Sequence, residues 1–337
     1  MLSTRFTTRF GLTHPVALAP MAGAAGGALA GAVARAGGLG LLGGGYGDAD
    51  WIAREWDRAG GAPIGIGFIT WSLSPALLEV ALARRPVAVM LSFGDPARFA
   101  PAIHAAGVTM ICQCQSLDHA RAALDAGAQV IVAQGAEAGG HGATRGTLSL
   151  VPEVADHLAA HAPNTLLLAA GGIADGRGLA AALVLGADGA LVGTRFWAAT
   201  EALVPQGFHQ AALAASGDAT IRSHAPDAAR LLDWPAPFTI RTLRSSFTDR
   251  WHSAPDALRA SPAARAAWAT AQATGDAANA SPVAGEAVGL IHDIAPVADI
   301  LSRLSAQASA VLASPFHKYP GGAGAGPRPD SPTQPEI

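Results

Sequence analysis

The chain is 337 residues long, half of it hydrophobic and 14% charged, with a net charge of −3. That length and apolar content suffice to bury a large core in one large domain, or in a domain with an appendage. The balance of charge leaves no basic footprint for nucleic acid, and no window approaches the ~18 uncharged apolar residues of a membrane helix, so we expect neither partner and a soluble, cytoplasmic protein.

The N-terminus, "MLSTRFTTRFG", lacks the apolar core of a signal peptide, and it is too short for the organelle transit segment that its Thr, Arg and scarcity of acids echo. Eight short apolar runs follow: 16–20, 38–44, 63–70, 86–94, 108–115, 128–135, 165–172 and 189–196. Each is nearly continuous in apolar residues, as parallel strands covered on both faces are. The segments between them read as helices. In "SLDHARAALDAG" and "ADGRGLAAALVLGAD", Ser or Asp opens the segment and Gly closes it. Eight alternating strand–helix units predict an α/β fold of the TIM (β/α)8 barrel type; a doubly wound open sheet is the alternative. Beyond the eighth run the pattern changes. Residues 201–280 are Ala-rich and predict a small helical lobe, interrupted by "DWPAPFTIRTLRSSF". The barrel is expected to span 1–200 and 281–315, and the Pro- and Gly-rich tail 316–337 to be disordered.

In such a barrel the chemistry sits in the loops after the strands. Gly171 and Gly172 follow the seventh strand, and Gly193 and Thr194 close the eighth. Glycines there let backbone amides approach an anion, and the Thr194 hydroxyl adds a donor. A phosphate-bearing ligand is the first inference. The loop "APMAG" after the first strand offers small residues to a flat ring, and Gln134 offers an amide to the ring's polar edge. A phosphate at one end and a flat ring at the other describe FMN. After the sixth strand, "AQGAEAGGHG" presents His141 behind two glycines, in the same layer. An imidazole with an ordinary pKa near 6.5 suits proton abstraction or anion binding.

These motifs resemble the nitronate monooxygenase family, formerly called 2-nitropropane dioxygenases, which are FMN-dependent TIM barrels. The resemblance rests on "PVALAPMAG", "AGGLGLLGGG", "VAQGAEAGGHG", "LAAGGIADGRGLAAALVLGADGALVGTRF" and "GEAVGLI", in family order from residue 15 to about 300. It implies that Met21 and Ala22 pack on the flavin, Gln134 hydrogen-bonds it and Gly139 lines its site. Gly172, Gly193 and Thr194 would hold the phosphate, and His141 would be the acid/base. It implies oxidation of an alkyl nitronate, or of the parent nitroalkane, by O2 to a carbonyl compound and nitrite. Three positions depart from the family. Gly67 stands where an Asn is frequent, so one flavin contact changes. Glu286 replaces a neutral amide, and "ATRG" follows Gly142. The same superfamily includes NAD(P)H-dependent FMN reductases of enoyl thioesters and quinones, which is the second reading. A barrel that binds a phospho-ligand without turnover is the third. A small-molecule substrate is the expected partner; a homodimer is left open.

Other residues read as structural. Cys112 and Cys114, two apart on a strand, are expected to be buried thiols. His157 and His161 are four apart on a predicted helix, with no third metal ligand in evidence, and no metal is expected. Glu137 is expected to cap backbone amides, and Arg177 to form a surface ion pair. Trp71 and Phe93, at strand ends, could wall a pocket or pack the core.

Overall fold

The structure, a computed structural model, describes residues 2–313; the tail at 316–337 lies outside the described residues. The first six apolar runs become strands β1 (Val16–Leu18), β2 (Leu41–Gly45), β3 (Gly65–Ile69), β4 (Ala88–Ser92), β5 (Thr109–Cys114) and β6 (Val130–Gln134). A short strand, β7 (Gly140–Gly142), lies outside the barrel, and β8 (Leu166–Ala170) and β9 (Gly189–Val192) complete it. All pairings in this sheet are parallel, in the order β1-β9-β8-β6-β5-β4-β3-β2. Leu39 closes the ring: its N–H donates to Val16 O at 3.0 Å, and its carbonyl accepts from Leu18 N at 2.9 Å. The fold is the TIM-type barrel that the eight runs predict.

The barrel has two apolar layers. Inside it, Leu41, Met90, Ile111, Val130 and Leu168 pack with Phe6, which the N-terminal helix Arg5–Phe10 inserts from the bottom. Phe6 is fully buried; truncating it to Ala would cost roughly 3–5 kcal/mol. The second layer lies between strands and helices, with Leu18, Ile66, Leu91, Ile131 and Leu167 facing outwards. The predicted helices form at Leu117–Asp125 and Gly176–Val184, with Ser116 and Asp175 as side-chain caps.

Residues 201–280 hold helices and also two strands, β10 (Thr220–Ser223) and β11 (Thr239–Leu243). These pair antiparallel, and β11 pairs in turn with β7. The lobe thus reaches into the barrel mouth and clamps the His141 segment, with Ile240 opposite His141. The chain returns through residues 284–290 and ends the described region with helix Val297–Ala313, packed on helix Gly176–Val184.

Candidate active site

A cavity of about 480 Å³ opens at the C-terminal end of the barrel, within the size range of small-molecule sites. The residues expected around a cofactor all border it: Met21, Ala22, Gly67, Gln134, Gly139, Gly171, Gly172, Gly193 and Thr194, and His141 with them. Gly171 and Gly172 have φ of +99° and +76°, a conformation that side chains rarely adopt. At Gly172 an added Cβ would meet no clash: its nearest neighbour, Glu137 Cβ, would lie in ordinary contact at 3.6 Å. The Thr194 oxygen accepts from Gly285 N at 3.0 Å, which leaves its hydroxyl hydrogen to donate. Two positive-φ glycines, Gly193 and the Thr194 hydroxyl thus border the cavity together.

Close to Gly193, where an added Cβ would meet Met21 Sδ at 3.7 Å, Pro20, Met21 and Ala22 form a small apolar floor. Gly67 explains itself against that floor, since a Cβ there would come within 2.3 Å of Pro20 Cγ. An Asn at 67 has no room beside this proline, so position 67 offers backbone only. Gly139 serves a different approach. Its added Cβ would meet Gly285 N at 2.6 Å, and a Cβ on Gly285 would meet Glu137 O at 2.6 Å. The two glycines let the returning chain seat directly on the loop after β6, where Glu286 N donates to Glu137 O at 2.9 Å.

His141 stands on β7, 8% exposed. Its Nε2 lies 3.1 and 3.0 Å from the two carboxylate oxygens of Asp227, and Arg230 pairs with the same carboxylate at 2.6 Å. Burial pushes the imidazole below its ordinary pKa, and the Arg230 and Arg222 cations push the same way against the Asp227 carboxylate. Trp234 stacks on the ring at 3.3 Å between centroids, and Phe93 meets it edge-on at 6.1 Å. Trp234 Nε1 donates to the Tyr46 hydroxyl at 2.9 Å, which ties the lobe to the loop after β2. Burial, foremost, raises the Tyr46 pKa.

The backbone of the His141 segment is held from two sides. Gln134 Nε2 donates to His141 O at 3.0 Å. Its Oε1 accepts from Gln113 at 3.1 Å and from Gln115 at 2.8 Å. From the lobe, Arg222 and Arg241 both donate to Ala136 O, at 2.9 and 3.0 Å. Burial lowers the Arg222 pKa to about 10. Glu286, the departure from a neutral amide, pairs with Arg241 at 2.8 Å.

The remaining expectations can be placed. Glu137 does cap: its carboxylate accepts from Thr147 N at 3.0 Å and from Thr147 Oγ1 at 2.8 Å. It thereby serves helix Thr147–His161, whose N-cap, Gly146, has no side chain to offer. Arg177 pairs with Asp175 at 2.6 Å. Cys112 and Cys114 are buried free thiols, and burial pushes Cys112 to about 12. Phe93 lines the cavity, whereas Trp71 sits behind it, edge-on to Tyr46 and Trp234. Asp227, Arg230, Trp234 and Tyr46 are the site residues that sequence reasoning missed. Two of them had no local signal. The strands that bring them in did have one: "TIR" occurs at 220–222 and again at 239–241, an alternation that pairs Arg222 with Arg241 across the sheet.

Comparison with known proteins gives the same direction. The nitronate monooxygenase family model matches residues 3–69 and 72–307. A nitronate monooxygenase of Metarhizium robertsii is 38% identical over 339 aligned residues, covering 88% of this chain and 91% of that protein. Among solved structures, FabK from Thermotoga maritima superposes with a TM-score of 0.82 at 29% identity, covering 93% of this chain and 98% of that one. Nitroalkane oxidase from Streptomyces ansochromogenes superposes with a TM-score of 0.76 at 26% identity, covering 90% and 98%.

Proposed function

Because the chain belongs to the nitronate monooxygenase family, we propose that it oxidises alkyl nitronates, and the nitroalkanes they derive from, with O2 to a carbonyl compound and nitrite, using FMN. The observation that carries this reading is a buried histidine, anchored at Nε2, on the wall of a cavity that Gly171, Gly172 and Gly193 also border.

The residues fit FMN. Gly171, Gly172, Gly193 and Thr194 would hold the phosphate through amides and a hydroxyl. Pro20, Met21 and Ala22 would lie under the ring, with Gln113 and Gln134 near its polar edge. The flavin, when bound, supplies the electron transfer to and from substrate and O2. The protein supplies the rest. The apolar walls exclude water, and Trp234 and Phe93 keep His141 in one orientation. The lone pair of a neutral His141 takes the carbon-bound proton of a nitroalkane, and its protonated form pairs with a nitronate.

The second reading, an NAD(P)H-dependent flavin reductase, is supported less by the walls. Among the described residues that line the cavity, Arg230 is the only Arg or Lys, and its guanidinium pairs with Asp227. A dinucleotide or carrier phosphate would therefore find no uncommitted cation there. The test is direct. The flavin-loaded protein is given an alkyl nitronate or NAD(P)H, and O2 uptake, nitrite release and NAD(P)H oxidation are followed. Nitrite and O2 uptake with nitronate, without NAD(P)H oxidation, are expected. Rapid NAD(P)H oxidation with indifference to nitronate would replace this reading with the second.

A further inference from the structure

Asp227 is 3% exposed, more enclosed than His141 itself, and carboxylates are found that deep only when paired. Its partners are Arg230, one turn along helix Ala225–Arg230, and His141 Nε2. A carboxylate only accepts, so Nε2 carries the hydrogen of the neutral imidazole and the lone pair sits on Nδ1. Nδ1 has no hydrogen-bond partner among the described residues, and His141 borders the cavity.

We propose that Asp227, held by Arg230, is a positioning residue that locks His141 in the Nε2–H tautomer and offers Nδ1 to the acidic carbon of the substrate. This rests on the nitronate-oxidising reading. In the step it serves, the C–H bond beside the nitro group breaks and its electron pair stays on the substrate as the nitronate. The proton goes to Nδ1 and leaves an imidazolium facing Asp227. The charged groups that face His141 are Asp227 and Arg230 on their helix and Arg222 on β10. Asp227 favours the imidazolium and Arg230 opposes it. Removing the one or the other therefore moves the imidazole titration in opposite directions. A residue that merely filled space would not do this.

The experiment uses the full chain with flavin bound and histidine labelled with 15N, as wild type, Asp227→Asn and Arg230→Gln. NMR reads the tautomer and the titration of His141, whose signal is identified by its loss in His141→Gln. The same proteins are assayed across pH with nitroethane and with its preformed nitronate. The expected wild-type tautomer is Nε2–H. The titration should move to lower pH in Asp227→Asn and to higher pH in Arg230→Gln. In Asp227→Asn, kcat/KM for nitroethane should fall about 100-fold or more and that for the nitronate less than about tenfold, since only nitroethane needs the proton removed. An Nδ1–H tautomer in the wild type, or titrations that move together or not at all, would overturn the proposal. If the titrations move as expected but the wild type consumes neither nitro compound, the tautomer lock stands and the functional reading fails.

Discussion

Trp234 lies flat on His141, with ring centroids 3.3 Å apart and planes within 8° of parallel. The segment after β6 supplies the histidine and the lobe supplies its roof, and the Trp234–Tyr46 hydrogen bond latches the lobe to the loop after β2. Burial is the largest cause of the depressed His141 pKa, so Trp234→Ala, which admits water, should raise it. A base works in its neutral form, so the acidic limb of kcat/KM should move to higher pH. The lost stacking should cost about 1–3 kcal/mol of stability. Trp234→Phe keeps a stacked ring and loses only the Tyr46 bond, worth about 1 kcal/mol, so its limb should stay in place. A pH–rate profile and a urea melt of both variants check this. An unmoved limb in Trp234→Ala would mean that the indole does not shield the imidazole.

Gln134 and Gln113 divide their work. Gln134 spends its amide on His141 O and on two neighbouring side chains, and it is 7% exposed. Gln134→Leu strands those partners in a buried place, at a cost of roughly 2–4 kcal/mol. Gln113 borders the cavity and is bonded there on one side only. Gln113→Leu should leave stability within about 1 kcal/mol yet weaken flavin retention. Urea denaturation and flavin-fluorescence titration separate the two effects. Weakened flavin binding in Gln134→Leu alone, with full stability, would reverse the assignment.

What was legible in the sequence follows from range. A parallel strand covered on both faces is a continuous apolar run, so all eight could be read one at a time. The glycine turns at 171–172 and 193, and His141 behind Gly139 and Gly140, are local as well. Asp227 meets His141 across 86 residues, from a helix of six residues that is too short to show a period. Trp234 arrives on an irregular loop, where a tryptophan reads as one more apolar residue. The lobe read as helical because alanine dominates it, and its strands are four and five residues long. Their pairing with β7 is a tertiary fact that no local window contains.

Gly139 and Gly285 press backbone to backbone, and neither has room for a methyl group. Gly139→Ala should push residues 284–286 off the loop after β6, breaking the Glu286–Glu137 backbone bond and loosening the Gly285–Thr194 bond. Overpacking of this kind costs about 1–3 kcal/mol. Because Thr194 sits in the proposed phosphate cradle, flavin affinity should fall along with the melting temperature. Gly172→Ala is the contrast. It strains a positive φ but its methyl group would meet Glu137 only in ordinary contact, so it should lower flavin affinity with a smaller loss of packing. A Gly139→Ala protein that melts like wild type and holds flavin equally well would show that the return segment has room to yield.

Acid should destabilise the protein in two stages. His141, His14 and His119 all have pKa values lowered from 6.5, with burial as the largest cause. For such a group the unfolded chain binds the proton more readily than the folded one. Its stabilising contribution is therefore complete above the unfolded value of 6.5 and is lost as pH falls through the lower folded value. Asp293, paired with Arg303 and Arg195, titrates below its ordinary 3.8, and its contribution is lost only in more acid solution still. Unfolding free energy measured by urea at several pH values should be level from pH 8 to about 7 and begin to fall below about 6.5. His141→Gln should flatten part of that fall without touching the later one. A wild-type curve that stays level to pH 5 would mean that these histidines remain hydrated enough to protonate in the folded state at no cost.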